Sequence, residues 1–502
     1  MKGSLAAGRP GGPTVSAIGR GFVYLALAMM ILPQGATSPI AFYLACIPIG
    51  VAAVLATITP PHAPLARRSF NLCFGFAIVL AAYVLFQAWS FPGNPFANPI
   101  WAEADKLVET ATRAISVEPS TTAIASLTLL SPFMLYAASL AFFDSDKRAL
   151  GLVRLIAAIG VAFAALGLAQ IWFLPHSLLL SHKIYYLDSL TSVFVNRNTA
   201  GTFLGITSLA VLAQVVAVIQ EVEHPSPLRK LISLDEKEIS DQRLRAGLWT
   251  VGLMVCLVAL FLTRSRGALL STLIAYILAM PLLAAHLANH ARKFRSKPRA
   301  EDAAKHRWRA LGRTMLVVTI VLLIAALLGG RAFLRLEQQP VDEARLCVYA
   351  SAWKAYLDHW LLGTGFGTFE SIFPSYRPSD CGWFYTRFGR AHNFYLEGLV
   401  GLGIIFIPAA LATYAHVFNN LLQGLRARKS LGYISVIGIS ATLLVTLHGL
   451  VDFSLQIPGM AGLFAVFLGA VTTISVGRGK VPKTRSRRSS CQEAMEEQRK
   501  AV

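Results

Sequence analysis

The side chains best suited to chemistry are guanidiniums and imidazoles standing at the ends of long apolar stretches. Thr263-Arg264-Ser265-Arg266-Gly267 joins two such stretches almost without a loop. Arginine is costly inside a bilayer unless it snorkels, pairs or faces a cavity, and its planar fork suits bidentate phosphate binding. Snorkelling towards headgroups accounts for Arg264 as well as function does. Arg266, followed by small residues that permit close backbone approach, is the stronger phosphate candidate. Arg345 lies early in a segment with helical periodicity, and Arg390-Ala-His392-Asn393 leads into another apolar stretch. A neutral imidazole can both donate and accept near neutral pH, so His392 could act as a general base or orient a phosphate. Asn196-Arg197-Asn198 and the pair His448 and Asp452 are looser candidates, since each could simply cap or anchor a helix end.

The elements that must position these groups are membrane helices. Of 502 residues, 55% are hydrophobic and only 14% charged, against about 25% charged in a soluble domain. Apolar windows long enough to cross a hydrocarbon core of about 30 Å recur along the whole chain. They predict spans near 18–33, 39–58, 70–90, 122–143, 151–174, 198–219, 247–263, 268–286, 314–330, 393–415, 432–450 and 460–477. The expected fold is an all-α polytopic membrane protein of about twelve transmembrane helices. The first span is read as a retained helix, because a second apolar segment follows closely and no small-residue cleavage site separates them.

The net charge of +20 collects in alternate loops rather than in a nucleic-acid-binding face. Arg67 and Arg68, Lys147 and Arg148, Arg229 to Arg245, Arg292 to Arg313, Arg426 to Lys429 and the tail from Arg478 fall on one side. The positive-inside rule makes that side the cytoplasm, with both termini in it. The loops near 34–38, 91–121, 175–197, 264–267, 331–392 and 451–459 then face the periplasm together with the candidate residues. The basic tail reads as a topology signal and an anchor to anionic membrane lipids.

The periplasmic segment 331–392, before the tenth span, is far longer than a passive connection. Within it Glu343 to Trp360 is expected to be helical, and Leu361-Leu-Gly-Thr-Gly-Phe-Gly-Thr-Phe breaks that helix with alternating glycines. The break could bring backbone to a ligand, or could be a tight turn packing Phe366 and Phe369 onto the membrane surface. It follows no strand, so it is not a dinucleotide fingerprint. Cys347 and Cys381 share this segment, where an oxidising compartment would permit a disulfide. Cys46, Cys73 and Cys256 sit in spans as small packing residues.

No nucleophile elbow, zinc-site, phosphate-loop or paired Cys-x-x-Cys motif is present, and no Asp-x-Asp pair occurs in an outer loop, so neither metal nor cofactor is expected. No internal repeat is visible, and polar groups gather at span ends rather than at mid-depth, which disfavours a transporter or flippase for a lipid-linked glycan or polyanion.

The ordered set of Thr263-Arg-Ser-Arg-Gly-Ala, Arg345 ahead of Trp353 to Phe369, and His392-Asn393 resembles the bacterial O-antigen ligase and polysaccharide polymerase superfamily. Asn196-Arg-Asn and His448-Gly-Leu-Val-Asp-Phe are similar to further recurring segments of it. The resemblance implies a metal-independent glycosyltransferase of the bacterial inner membrane, acting in lipopolysaccharide or exopolysaccharide biosynthesis. Its donor would be a glycan on undecaprenyl pyrophosphate, and its acceptor a lipid A core or another glycan. Envelope polysaccharide assembly proteins would be its partners. Arg266 and Arg345 would hold the pyrophosphate with Arg264 and Arg197 nearby, His392 would assist attack by the acceptor hydroxyl, and Asn393 and Asn196 would support the site. The expected organisation is an N-terminal helical part (1–190), a ligase- or polymerase-like core (191–477) and a basic cytoplasmic tail (478–502).

Overall fold

Proline opens many of the helices, where its missing N–H costs nothing and its fixed φ suits the first turn. A computed structural model describes residues 13–108, 112–223, 236–294, 341–379 and 388–477, and all regular elements among them are helices. The N-terminal group is α1 (Pro13–Ile31), α2 (Pro39–Ile58), α3 (Pro64–Ala88), α4 (Pro119–Phe142) and α5 (Asp146–Phe173). The central and C-terminal group is α6 (Arg197–Glu223), α7 (Glu236–Leu262), α8 (Arg266–Phe294), α9 (Val341–Asp358), α10 (Phe369–Tyr376), α11 (Phe394–Leu402), α12 (Phe406–Ala427), α13 (Gly432–His448) and α14 (Pro458–Val476).

Ten helical stretches are long and apolar enough to cross a membrane, α11 and α12 counting as one, and the shorter apolar α13 adds another. These coincide with the expected spans except the one near 314–330, which lies outside the described residues. The protein is an all-α polytopic membrane protein. The tenth expected span runs further than its predicted 393–415, to Ala427, and a 3-10 turn at Gly403–Ile405 interrupts it.

Burial separates two kinds of span. In α14, 94% of the membrane window is buried, and in α6 83%, whereas α3 and α7 bury 28% and turn the rest outward. These two helices, with α13, of whose 17 residues 14 are buried, make up the inside of the bundle. Small residues let the others approach it: a Cβ on Gly469 would lie 2.5 Å from that of Ser139, and one on Gly160 2.3 Å from that of Thr207. Hydroxyls tie the same contacts, with Ser139 donating to the Val466 carbonyl (2.9 Å) and Tyr136 to Thr472 (3.2 Å). Close backbone packing and interhelical hydrogen bonds are what hold helices together where lipid is as apolar as the core. One continuous core contains residues from both sides of position 190, from Val23 to Ile474.

Contacts between loops define two opposite ends. At one end Asp144 faces His62 (3.8 Å) and pairs with Arg148 (2.7 Å), while Arg428 pairs with Asp146. At the other, Gly459 N–H donates to the Gly35 carbonyl (2.9 Å), Leu190 N–H to Leu262 (2.8 Å), Asn393 to Leu450 (2.9 Å) and Val117 N–H to Thr364 (2.9 Å). These are the two loop sets that the alternating charge pattern separates.

Over that second end lies a cap built from α9 and α10, with its own small core of Val348, Ala352, Tyr356, Phe369, Phe373 and Val400. The helix predicted over 343–360 runs from Val341 to Asp358. The glycine-rich break after it is a turn packed on protein backbone. Gly363, Gly365 and Gly367 all have positive φ, and Thr364 N–H and Gly365 N–H bond the carbonyls of Val400 (2.8 Å) and Gly401 (3.2 Å) on α11. Phe369 enters the cap core and Phe366 packs with Leu402 and Phe406, so neither is laid on the membrane surface as a surface anchor. Buried Gln87 of α3 completes the latch, donating to the Leu362 (2.6 Å) and Gly401 (2.9 Å) carbonyls and accepting from Phe366 N–H (3.2 Å). Cys347 on α9 is disulfide-bonded; Cys381 lies outside the described residues.

Candidate active site

The start of α6 is fixed locally. Asn196 Oδ1 accepts from Asn198 N–H (2.7 Å), and its carbonyl accepts from Ala200 N–H (3.1 Å), so an Asx turn leads into the helix. Arg197, the first helical residue, places its guanidinium carbon 5.2 Å from the centre of the Tyr186 ring, a cation–π contact.

Thr263 and Ser265 shape the neighbouring turn between α7 and α8. Thr263 Oγ1 accepts from Ser265 N–H (3.2 Å), Ser265 Oγ donates to Asn198 Oδ1 (2.8 Å), and Arg264 takes a positive φ of 55°. The Arg264 side chain ends in an ion pair with Asp188, whose partners are both partly exposed. Burial pushes the Asp188 carboxyl up, but the Ser189 hydroxyl and the charges of Arg264 and Arg197 outweigh it and hold the carboxyl below its usual range. Arg266 opens α8 and is exposed. Gly267 behind it has no room for a side chain, because a Cβ would stand 3.1 Å from His448 Nε2.

Beneath these turns runs a buried polar chain. Asp452, fully buried, accepts from Asn198 Nδ2 (2.8 Å) and from the Ser454 hydroxyl; Thr202 Oγ1 lies 3.0 Å from Ser454 Oγ and 2.7 Å from His448 Nδ1. The chain locks α6, the α7–α8 turn and the α13–α14 turn into one unit. His448 is thus a buried structural partner, 2% exposed, and Asp452 is the charge at its centre.

His392 approaches from the other side. Its φ is +54°, unusual for a residue with a Cβ, and several contacts enforce it. Its carbonyl accepts from the Tyr349 hydroxyl of α9 (3.0 Å), Asn393 caps α11 by accepting from Tyr395 and Leu396 N–H (both 3.0 Å), and Phe394 N–H donates to Gly449 (2.9 Å). One residue earlier, buried Glu397 accepts from Ala391 N–H (2.8 Å) and pairs with Arg390 (3.0 Å). The imidazole stands edge-on to Phe453, with ring centres 4.8 Å apart. Its Nδ1 is buried without a hydrogen-bond partner among the described residues. Burial pushes the imidazole below its ordinary value; Asp452 draws it up and Arg345 of α9 depresses it further. Arg345 is therefore near enough to act on His392 by its charge.

His392 lines a cavity of about 430 Å³ together with Asn196, Thr199, Tyr186 and Phe453. The sequence candidates accordingly fall into groups. His392 and Asn196 touch the cavity, Arg197 stands on the Tyr186 wall and Arg345 acts on the imidazole. Arg266 is carried by the helix start that abuts His448, and Arg264 is engaged by Asp188. Asn393 acts through the cap that orients His392. Asp188 and Thr199 carry no motif: Asp188 meets Arg264 across 76 positions of chain, and Thr199 stands out only because its buried hydroxyl lacks a partner among the described residues.

Residues 251–407 match the family model described as O-antigen ligase. This segment is similar to an O-antigen ligase domain. The O-antigen ligase family it resembles is one of glycan-transferring membrane enzymes. The match runs from α7 through the Arg264–Arg266 turn, the cap and His392, and closes at the start of α12. Asn196 and Asp452 fall outside the matched segment, yet Asn196 shares a cavity with His392, and Asp452 reaches the segment through Asn198, which accepts from Ser265. A comparison with curated proteins finds no match to the chain.

Proposed function

We propose that the protein transfers a glycan from undecaprenyl pyrophosphate to an acceptor hydroxyl at the periplasmic face of the inner membrane, as an O-antigen ligase or a surface-polysaccharide polymerase. The observation that carries this reading is His392: an imidazole held at positive φ, with a buried nitrogen unpartnered among the described residues, lining a cavity at one end of a helical bundle with Arg197 on its Tyr186 wall. Its depressed proton affinity keeps it neutral at pH 7, the form a base requires. The acceptor oxygen bonds to the anomeric carbon of the donor sugar as its proton passes to His392, and the bond from that carbon to the pyrophosphate oxygen breaks. The leaving pyrophosphate carries away the electron pair. Arg345, Arg266 and Arg197 meet that charge, and Arg264 adds to it when Asp188 yields; preorganised cations at low dielectric are the effective way to do so. An interfacial site lets the lipid tail stay in hydrocarbon while the glycan stays in water. The periplasmic assignment rests on the opposite end, where Arg67, Lys147, Arg148 and Arg428 gather.

Reconstitution with an undecaprenyl-pyrophosphate glycan tests the proposal. Wild-type protein should yield lengthened or acceptor-linked glycan, and product length separates polymerisation from ligation. Absence of turnover with a lipid A core and with a second donor molecule would refute it.

A further inference from the structure

We propose that the cavity beside His392 is a saccharide subsite, and that the Thr199 hydroxyl is the hydrogen-bonding group which selects the sugar within it. This deepens the functional reading above and rests on it. Thr199 is 1% exposed, lines the cavity, and its Oγ1 has no hydrogen-bond partner among the described residues. A buried hydroxyl left unmade costs about 1–3 kcal/mol, so such a group on a cavity wall marks where a ligand supplies the missing partner. The second orphan on the same wall, His392 Nδ1, places the reacting centre beside it.

The chemistry of the wall points to a sugar rather than to the diphosphate. Tyr185, Tyr186, Phe194 and Phe453 supply aromatic surface, Asn196 and Thr199 supply neutral polar groups, and among the described residues no Lys, Arg, Asp or Glu lines the cavity. Aromatic faces against one side of a pyranose, with a few fixed polar groups for its hydroxyls, form a neutral carbohydrate site. The cations stand at the margin instead: Arg197 on the Tyr186 ring, and Arg345 within electrostatic reach of His392. The diphosphate thus sits at the rim and the attached sugar inside. The volume of about 430 Å³ lies in the range of small-molecule pockets.

The test compares wild type, Thr199→Val and Thr199→Ser in lipid nanodiscs by calorimetric titration with undecaprenyl-pyrophosphate disaccharide, bare undecaprenyl pyrophosphate and the free disaccharide. Val keeps the shape and removes the hydroxyl, so the thermal unfolding midpoint should hold or rise. Affinity of Thr199→Val should fall roughly tenfold for the disaccharide-bearing lipid and stay unchanged for the bare lipid, with Ser restoring it. A loss seen with the free disaccharide as well gives the subsite to the acceptor and still supports the assignment. Equal affinity of Thr199→Val and wild type for every ligand overturns it, as does equal weakening towards both lipids. Failure of the wild type to bind either lipid overturns the functional reading first, and this assignment with it.

Discussion

His392 is the residue whose behaviour most directly reports the chemistry. Replacing it with Ala should lower kcat by about 10²–10⁴-fold, the range of a general base, while the protein still inserts and surface glycan disappears. Because burial and Arg345 depress its proton affinity, the acid limb of the kcat/KM profile should lie below the ordinary imidazole value of 6.5. Removing the Arg345 charge with Gln takes away a depressing influence, so that limb should move to higher pH, together with a fall in kcat/KM; a limb that stays in place would separate Arg345 from His392. Much of this was legible in the sequence, since His392-Asn393 and Arg345 stand out as polar groups at the edges of apolar stretches. Asp188 and Thr199 were not, because an exposed Asp and a Thr in a helix look ordinary until the fold shows what surrounds them. Asp188 meets Arg264 across 76 positions of chain.

At the scale of elements, the cap and the interrupted span hold the site in shape. Asn393 caps α11 through two backbone N–H groups, so Asn393→Ala should cost about 1 kcal/mol. It should also lower kcat, because the same turn sets the His392 backbone. A second tie joins the cap to the 91–118 loop: His359 lies 3.3 Å from Asn98 Nδ2 and 3.2 Å from the Tyr376 hydroxyl. Burial lowers the proton affinity of His359, with Asp358 opposing. The unfolded chain therefore binds this proton more readily than the folded one. Stability attributable to His359 should be complete above about pH 6.5 and be lost as pH falls from there towards its lower folded value. Thermal unfolding of His359→Gln, which cannot gain the charge, should accordingly depend less on pH between about 5 and 7. The helix of the cap was readable from periodicity, but the role of its glycines was not: Gln87, the residue that latches them, is buried in an otherwise apolar span where nothing marks its partner.

For the whole molecule, the membrane helices among the described residues were readable because membrane thickness sets helix length. Which of them lie inside the bundle was not. α2 and the membrane window of α6 share a hydropathy of 2.2, yet 39% of one and 83% of the other is buried. Lipid is as apolar as a protein interior, so hydropathy alone cannot distinguish a central helix from a peripheral one. The sidedness is testable with single cysteines: Tyr185→Cys should react with an impermeant maleimide from the periplasm, and Lys147→Cys only after the inner membrane is opened. The reverse pattern would remove the site from the compartment where the proposed glycan transfer occurs.

The joint between the cap and the interrupted span constrains how this architecture can diversify. Backbone meets backbone there: Ile404 N–H reaches the Trp360 carbonyl (2.7 Å), and a Cβ on Gly363 would stand 2.5 Å from the Gly401 oxygen. At nine residues, α11 spans only about 13.5 Å, less than half the hydrocarbon thickness, and the glycine turn packs against its C-terminal end. A cap grafted alone from a related enzyme would meet a foreign carbonyl row and leave that joint open, whereas a graft of residues 341–406 moves both halves of the joint. Cap and half-helix are one inheritable cassette, and chimeras cut between them should fail in folding before they fail in specificity.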